Sequence, residues 1–368
     1  MDNERQNQVN ILIVKLSAIG DVIHTLPSLA ELRRLYPGAH ITWVIEEAAS
    51  PIVKGNPYLD TLIISRRKTW SENLKKRIHI CETLKEIRMF IKQLRQRPYD
   101  IAIDFNGLLK SAILVLISGA QRKIGYNSLQ ELSGLFYNEK IYENMNKHAV
   151  DRYLDFVRYL GMACDNLEFY LPVSQADREA VDTLLYNSGI LKDKKFVSIS
   201  PMSFAGETRL WYEDRFAALA DRIIKELKTE VVFTGSRSGG MIDRIQAMMT
   251  NQALNLEGKT SLFELAHLYK QAELLITPDS GPMHIAAAIG TPVIALFGAS
   301  AYWRTGPYGP GHTIIRTDLP CSPCFLKKCA TRKCMADILP QQVFDAVENK
   351  LLSHSGIGRQ TLAFRRRL

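Results

Sequence analysis

Asp279 and Ser280 lie where the sequence pattern changes from a buried strand to a short helix. An apolar run, Leu274 to Thr277, precedes them, and Gly281-Pro282-Met283-His284 opens the helix. Proline suits the first turn of a helix, free N–H groups there attract anions, and glycine lets a ligand approach the backbone. The pattern therefore predicts a phosphate site. Because Asp and Ser are also usual helix-capping residues, a capped helix without a ligand fits the same pattern.

A second candidate group follows the first strand of the chain. Ile11 to Leu16 has the pattern of a buried strand, and a turn of small residues leads from it into Asp21 and a helix. This arrangement places Asp21 near the carboxyl edge of a parallel sheet, where open α/β folds bind ligands. Asp21 is a candidate general base there, and a plain helix-start residue is the alternative interpretation. The region is not a dinucleotide fingerprint, because only Gly20 is present where three spaced glycines are needed.

The length and the charge of the chain limit the classes of protein to which it can belong. At 368 residues it is longer than one domain usually is, so two domains are expected. No segment is apolar over the length that a membrane-spanning helix needs, and the first ten residues lack the layout of a secretory signal, so a cytosolic protein is expected. Lys and Arg outnumber Asp and Glu by 47 to 38. This surplus favours an anionic partner, with phosphorylated lipid, nucleotide and nucleic acid all open.

Part of the positive charge is concentrated in short runs. Arg66 to Lys68 and Lys75 to Arg77 lie beside Trp70, and Arg365 to Arg367 lie near the end of the chain. Basic residues with an aromatic neighbour suit the face of an anionic membrane, although most charge runs are only solvated surface. We favour the membrane interpretation.

Strand-like and helix-like segments alternate through two successive series. The first begins at Ile11, and the second begins near Phe196. Such alternation predicts parallel sheets with helices on both faces, and hence two α/β domains in tandem. We predict domains at 1–180 and 181–345, followed by a helix and basic tail at 346–368. Asp21 and Asp279 are expected on opposite walls of a cleft between the two domains.

Four of the six cysteines form a cluster with the spacing C-x2-C-x4-C-x4-C. Thiolates grouped in a loop of a cytosolic protein suit a structural zinc ion, and four cationic residues lie among them. Packed or redox-sensitive thiols are the alternative. The candidate ligands are Cys321, Cys324, Cys329 and Cys334.

Several segments together resemble the heptosyltransferases of lipopolysaccharide core synthesis, which are bacterial glycosyltransferases of GT-B architecture. The resemblance implies two Rossmann-like, doubly wound domains facing across a cleft, with the acceptor on the amino-terminal domain and the nucleotide sugar on the other. In this architecture residues 346–368 commonly pack back on the amino-terminal domain, with a membrane contact or a disordered end as the alternatives. The matching segments are Lys15 to Pro27, Asp104 to Ser111, Arg209-Leu210-Trp211, Asp279 to Gly290 and Thr305 to Gly309.

The reaction implied by the resemblance is an inverting transfer of heptose. The donor is ADP-L-glycero-D-manno-heptose, and the acceptor is the inner core of lipopolysaccharide, either Kdo-lipid A or heptosyl-Kdo-lipid A. The resemblance implies peripheral contact with the anionic inner membrane at its cytoplasmic face, no required cofactor and no nucleic-acid partner. One alternative is a GT-B transferase that uses another nucleotide sugar for cell-surface polysaccharide. A more distant alternative is a basic, Cys-rich module that binds nucleic acid.

Residue roles follow from the same resemblance. Asp21 resembles the general base that removes the acceptor hydroxyl proton. Arg209, where other members have lysine, is expected to neutralise the leaving diphosphate. The turn after Thr234 lacks the glutamate that many members keep near the nucleoside. Lys110 and Arg122 are candidates for the acceptor, with plain surface charge as the alternative. The residues assigned to the donor are Arg209, Gly235, Ser236, Asp279, Ser280, Gly281, Met283 and His284.

Overall fold

The computed structural model describes residues 9–354 apart from 129, 166, 192–193 and 238. The chain divides into two compact units at Pro172 and Val173. This boundary lies before the predicted one at 180, which would have cut the helix Gln175–Asn187. That helix belongs to the second unit as a whole, because its cap begins at Ser174, whose hydroxyl accepts the Asp177 N–H at 3.1 Å.

The first unit is built on a six-stranded parallel sheet in the order β3-β2-β1-β4-β5-β6. Ile11, Leu12, Ile13 and Val14 of the central strand are fully buried, as expected for a parallel strand covered by helices on both faces. The strands are β1 (Asn10–Val14), β2 (His40–Glu46), β3 (Thr61–Ser65), β4 (Ile101–Asp104), β5 (Arg122–Tyr126) and β6 (Glu139–Ile141).

Five helices cover this sheet. Their apolar faces, including Phe90 and Leu94, pack with Leu12 and Val14 of β1 in one core. The helices are α1 (Ile19–Leu35), α2 (Arg67–Lys76), α3 (Ile80–Leu94), α4 (Leu109–Ser118) and α5 (Ala149–Tyr159), with 3-10 segments at Glu47–Ile52 and Gln130–Phe136.

The second unit repeats the topology of the first. Its parallel sheet has the order β12-β11-β10-β7-β8-β9, so the first strand of the unit again pairs with the second and the fourth. Its strands are β7 (Phe196–Ile199), β8 (Glu230–Phe233), β9 (Leu254–Asn255), β10 (Leu274–Pro278), β11 (Val293–Phe297) and β12 (Thr313–Arg316).

The helices of the second unit include the one predicted to return to the first domain. Helix α13 begins at Pro340, and Val343, Phe344 and Val347 are buried in the core of the second unit. The described part of the carboxyl-terminal segment is therefore an element of the second unit, and residues 355–368 lie outside the described residues. The helices are α6 (Gln175–Asn187), α7 (Glu213–Leu227), α8 (Met241–Met248), α9 (Leu262–Gln271), α10 (Gly281–Ala288), α11 (Tyr302–Thr305), α12 (Lys333–Ala336) and α13 (Pro340–His354), with a 3-10 segment at Glu207–Arg209.

None of the helices in the described ranges combines the length and the apolarity that a bilayer crossing requires.

Candidate functional site

Both predicted carboxylates lie where the strand order of their sheet reverses. This point falls between β1 and β4 in the first unit and between β7 and β10 in the second. Asp21 is in the first turn of α1, just after β1, and Asp279 directly follows β10. Ligands of open α/β sheets bind at such reversal points, outside the carboxyl ends of the strands. The sequence-based placement of both residues is therefore correct within each unit.

In the first unit, Asp21 is linked to a buried lysine through a tyrosine. The Tyr153 hydroxyl donates to Oδ1 of Asp21 at 3.2 Å, and Lys15 Nζ donates to the Tyr153 oxygen at 2.7 Å. Lys15 also donates to the Phe105 carbonyl at 3.1 Å. The Ala18 N–H donates to Oδ2 of Asp21 at 3.3 Å. The start of helix α1 and helix α5 thus each supply one hydrogen bond to the Asp21 carboxylate.

Burial dominates the electrostatics of this group. Only 3% of Lys15 is exposed, and this burial lowers its pKa, although the carboxylates of Asp21 and Asp104 oppose the shift. Burial raises the pKa of Tyr153 well above its ordinary value, and Asp21 acts in the same direction. Tyr153 therefore keeps its proton and remains a hydrogen-bond donor to Asp21 throughout the neutral range.

A second buried carboxylate supports the same edge of the sheet. Asp104, fully buried at the end of β4, accepts from the Tyr137 hydroxyl at 2.7 Å and from the Asn106 N–H at 2.8 Å. Burial raises the pKa of Asp104, while these hydrogen bonds oppose the shift. The Asn106 side chain in turn accepts the Leu16 N–H at 2.8 Å, which joins the ends of β4 and β1.

In the second unit, two residues assigned separately to the donor contact each other. Arg209 Nη1 lies 2.7 Å from Oδ2 of Asp279. The Asp279 side chain is 3% exposed and the Arg209 side chain 29%, so the carboxylate is buried while the guanidinium reaches solvent. Ser203 donates its hydroxyl to the Asp279 carbonyl at 2.8 Å. Since a guanidinium carries five N–H donors, Arg209 can hold Asp279 and an anionic ligand together.

Helix α10 begins directly beside this pair. The Ser280 and Thr277 hydroxyl oxygens are 2.9 Å apart, and Gly281 is the first residue of the helix. Met283 is fully buried, so its side chain is not exposed to a ligand. His284 is 8% exposed. The predicted phosphate-binding groups are thus brought together around the start of α10, and their role in binding stays a prediction.

The turn after β8 borders a surface depression of about 480 Å³. A Cβ atom on Gly235 would lie 2.1 Å from Cε of Met202, so the turn packs closely on this residue, and Ser236 is exposed. The depression contains a carboxylate, Glu257, that motif reasoning missed because it follows β9 and not β8. Its position at the carboxyl end of a strand was the available signal. The depression is lined by Arg237, Gly239, Gly240, Asp243, Asn255, Glu257 and Lys259.

The cysteine-rich segment packs against the loop that carries Arg209. Thr208 donates its hydroxyl to the Leu326 carbonyl, and Glu207 accepts the Cys329 N–H at 3.3 Å. A Cβ atom on Gly206, whose φ is 136°, would lie 2.9 Å from the Lys327 backbone. The segment therefore braces this loop.

Among the described residues, no group of three or more Cys, His, Asp or Glu side chains is arranged to hold a metal ion. Burial raises the pKa of the Cys334 thiol, whereas backbone hydrogen bonds lower that of Cys329. The zinc site at Cys321, Cys324, Cys329 and Cys334 stays a prediction that this geometry does not support.

The two residues assigned to the acceptor lie in different places. Lys110, near the start of α4, is an electrostatic neighbour of Lys15 and hence close to the carboxyl edge of the sheet. Arg122 is the first residue of β5, at the opposite edge, and its guanidinium binds Glu139 at 2.7 and 2.8 Å. Arg122 begins its strand and therefore does not lie with Asp21 and Lys110 at the carboxyl edge of the sheet, so its assignment to the acceptor stays a prediction that this position does not support.

A model of the family described as glycosyltransferase family 9 (heptosyltransferase) matches residues 87–335, which is more than half of the chain. The chain belongs to this family. This family-9 transferase is 28% identical over 361 residues to lipopolysaccharide heptosyltransferase 1 of Pseudomonas aeruginosa, with 96% of each chain covered. It is 28% identical over 304 residues to lipopolysaccharide core heptosyltransferase OpsX of Haemophilus influenzae, with 81% of this chain and 82% of that one covered.

The fold of the transferase is also that of a solved relative. The structure of E. coli heptosyltransferase WaaC with ADP matches it with a TM-score of 0.75 at 21% identity, covering 93% of this chain and 100% of that one. Family and fold together confirm the resemblance, the enzyme class and the predicted GT-B α/β fold. Sequence reasoning assigned no individual role to Lys15, Tyr153 or Glu257. The one local signal for this group was Lys15, a lysine within the apolar run Ile11 to Leu16. Its contact with Tyr153 had no local signal, because the two residues are 138 positions apart.

Proposed function

We propose that the chain transfers heptose from ADP-L-glycero-D-manno-heptose to the inner core of lipopolysaccharide, with inversion at the anomeric carbon. The observation that carries the proposal is the setting of Asp21 in a family-9 transferase. This carboxylate lies at the strand-order reversal and is oriented by Tyr153, which donates to it at 3.2 Å. The names of the relatives, lipopolysaccharide heptosyltransferase 1 and core heptosyltransferase OpsX, support the sugar and the acceptor class.

In the proposed displacement, Asp21 acts as general base. An acceptor hydroxyl becomes acidic as its oxygen bonds to the anomeric carbon, and the Asp21 carboxylate takes the proton. A positioned base of this kind contributes about 10²- to 10⁴-fold to the rate. The Tyr153 hydroxyl and the Ala18 N–H each hold one oxygen of the carboxylate and fix its orientation. Lys15, which contacts the oxygen of Tyr153, adds a favourable electrostatic interaction with the carboxylate.

The second unit is proposed to hold the donor. Arg209 and the N–H groups at the start of α10 neutralise the diphosphate, on which negative charge develops as the glycosidic bond breaks. Asp279, fixed by Arg209, is placed to accept hydrogen bonds from heptose hydroxyls. We assign the adenosine to the depression beside Gly235 and Ser236, where Glu257 offers a carboxylate to the ribose. The ADP in the WaaC structure supports this class of nucleotide.

The acceptor is proposed to be Kdo-lipid A or heptosyl-Kdo-lipid A, with Lys110 as the residue nearest to the acceptor site. Because such an acceptor is anchored in a bilayer, we propose that the transferase works in peripheral contact with the anionic cytoplasmic face of the inner membrane. The scheme uses no metal and no cofactor.

Mass spectrometry of the products tests this function. The native chain and Asp21→Asn are incubated with ADP-heptose and with either acceptor, and Arg122→Gln serves as a charge-removing control outside the site. We expect one heptose mass on one of the acceptors with the native chain and the control, and none with Asp21→Asn. No gain on either acceptor with folded native protein would reject heptose as the donor sugar and favour another nucleotide sugar.

A further inference from the structure

Helices α2 and α3 form a hairpin whose turn is exposed over nine consecutive residues, 74–82. We call residues 74–84 the hairpin tip. Large aliphatic side chains that cluster in solvent mark an interaction surface, whereas isolated ones need no explanation. Four aliphatic side chains of the hairpin tip are 41–54% exposed: Leu74, Ile78, Ile80 and Leu84.

These aliphatic side chains extend an apolar stripe of α3 beyond the core. Ile80, Leu84, Ile87 and Ile91 follow the spacing of four, three and four residues that defines one helix face. Ile87 and Ile91 are partly buried against the core of the first unit, whereas Ile80 and Leu84 are exposed. The apolar face of α3 is therefore longer than the surface that covers it.

Trp70, which the sequence offered as an aromatic membrane contact, is not part of this surface. It is 8% exposed, its Nε1–H donates to Glu86 at 2.7 Å, and its ring lies 5.3 Å from that of Phe90. Its role is to pack α2 onto α3. The apolar contact surface comes from aliphatic residues that the charge pattern alone did not indicate.

The segment that contains this hairpin carries a net positive charge close to that of the whole chain. Residues 66–97 contain eleven Lys and Arg against three Glu, a net charge of +8, compared with +9 for the whole chain. A depression of about 310 Å³ on α2 is lined by four cations, a serine and a glutamate. The six lining residues are Arg67, Lys68, Ser71, Glu72, Lys75 and Lys76.

The cations differ in their pairing along the hairpin. At its base, Arg66 pairs with Glu47 and Glu86, and Arg67 and Lys68 both pair with Glu46. Near the tip, Lys76 pairs with Glu72. Within the described part of the chain, no ion pair is formed by Lys75, Arg77, Lys85 or Arg88. The tip thus presents cations together with aliphatic side chains.

We propose that the hairpin tip inserts its aliphatic side chains between the headgroups of an anionic bilayer, while the surrounding lysines and arginines contact lipid phosphates. Amphipathic segments of this composition lie in the plane of the membrane interface, and Lys and Arg near an anionic surface strengthen their binding. A soluble polyanion matches the charge but leaves the four aliphatic side chains in water. The inference rests on the proposed function for its lipid-anchored acceptor, and it adds the surface that brings the enzyme to that lipid.

Vesicle co-sedimentation of the full-length protein tests the proposal without donor or acceptor. Vesicles of phosphatidylcholine alone are compared with vesicles that contain about one-third phosphatidylglycerol, at low and high salt. The variants are Ile78→Glu/Ile80→Glu and Ile78→Ser/Ile80→Ser. The matched control is Met248→Glu/Leu339→Glu, which alters two side chains of the second unit that are 46% and 52% exposed. The basic tail is the same in every chain.

We expect the native chain and the control to bind only the anionic vesicles, with weaker binding at high salt. The glutamate variant should bind about tenfold less, and the serine variant should also lose binding, because both remove apolar burial. Thermal unfolding should be unchanged, since the altered side chains are exposed. Native binding by either tip variant, equal binding to both vesicle types, or no binding by the native chain would overturn the proposal. The vesicle assay contains neither donor nor acceptor, so a failure of heptose transfer would not change its result. The proposed function and the membrane contact are therefore tested independently.

Discussion

Asp21 and Asp279 occupy related positions in two sheets of the same topology, yet their surroundings differ. The Asp21 carboxylate is linked to Lys15 indirectly, because the hydroxyl of Tyr153 lies between them and hydrogen-bonds to both. The Asp279 carboxylate contacts a cation directly, since its Oδ2 lies 2.7 Å from Nη1 of Arg209. Asp279 is also buried, whereas Asp21 is partly exposed.

This difference fits the two roles that we propose, a general base for Asp21 and a donor-binding group for Asp279. The Asp279 carboxylate is buried beside a guanidinium, whereas the Asp21 carboxylate is partly exposed and contacts a tyrosine hydroxyl. A tyrosine donor orients the Asp21 carboxylate without neutralising it. We therefore propose that the same topology holds a general base in one unit and a donor-binding group in the other.

The largest expected effect among the supporting residues is at Arg209. Arg209→Ala removes the cation that stabilises the leaving diphosphate and leaves Asp279 buried without its partner. We expect kcat/KM to fall by about 10²- to 10³-fold, measured by initial rates of ADP release. Arg209→Lys should recover part of the loss, because lysine keeps the charge but not the two-point geometry. Near-native activity in the alanine variant would remove Arg209 from the mechanism.

A smaller effect is expected at Tyr153. Tyr153→Phe keeps the ring but deletes the hydroxyl that joins Lys15 to Asp21. We expect kcat to fall about 10- to 100-fold with little change in donor KM, since one hydrogen bond to a charged group contributes roughly 1.5–3 kcal/mol. A double-mutant cycle with Lys15→Met should be non-additive, because both residues act on Asp21 through one chain of contacts. Additive losses would contradict that chain.

The pH dependence of stability tests Lys15. Burial lowers its pKa in the folded protein from the ordinary 10.5, so the folded state prefers the neutral amine relative to the unfolded state. The stability that comes from this difference in pKa is fully present above pH 10.5. It is lost as pH falls from 10.5 through the lowered pKa, because the unfolded chain binds the proton first. The free energy of unfolding of the native chain, minus that of Lys15→Met, should therefore increase as pH rises towards 10.5. Urea unfolding of both chains at neutral and alkaline pH measures this difference, and a flat difference would contradict the lowered pKa.

The smallest effect concerns the cysteine-rich segment and should not alter catalysis. Hydrogen bonds from the backbone of Arg332 and Thr331 lower the pKa of Cys329, whereas burial raises that of Cys334. Brief alkylation with iodoacetamide, followed by peptide mass spectrometry, should label Cys329 well before Cys334. Equal protection of all four cysteines, reversed by a chelator, would instead support the zinc site.

Local patterns predicted the parts of the site that are local in sequence. A strand, a small-residue turn and a helix start are contiguous, so the positions of Asp21 and Asp279 were predictable. Each of Arg209 and Asp279 was assigned to the donor, but their mutual contact depends on how two separate loops fold together. Tyr153 was missed for the same reason, since it lies 132 residues after Asp21 and no local pattern joins them.

The errors have equally physical causes. Arg122 was a candidate because of its charge, but charge alone does not tell which edge of the sheet a residue occupies. The domain boundary was placed inside α6 because helix-forming and polar residues mix there, and the capping contact between Ser174 and Asp177 was not used. The membrane contact was predicted from charge and Trp70, whereas the exposed aliphatic side chains were found only from burial.

The most direct test compares the two carboxylates in single-turnover experiments, with Asp21→Asn and Asp279→Asn as matched variants. Each rate of heptose transfer is measured with saturating enzyme, and the affinity for ADP-heptose is measured separately by calorimetry without acceptor. The account predicts that Asp21→Asn slows the transfer step by about 10²- to 10⁴-fold with the affinity for ADP-heptose unchanged. Asp279→Asn should instead weaken donor binding, with a smaller effect on the step itself. A transfer rate in Asp21→Asn within a few-fold of the native rate would contradict the assignment of Asp21 as the base.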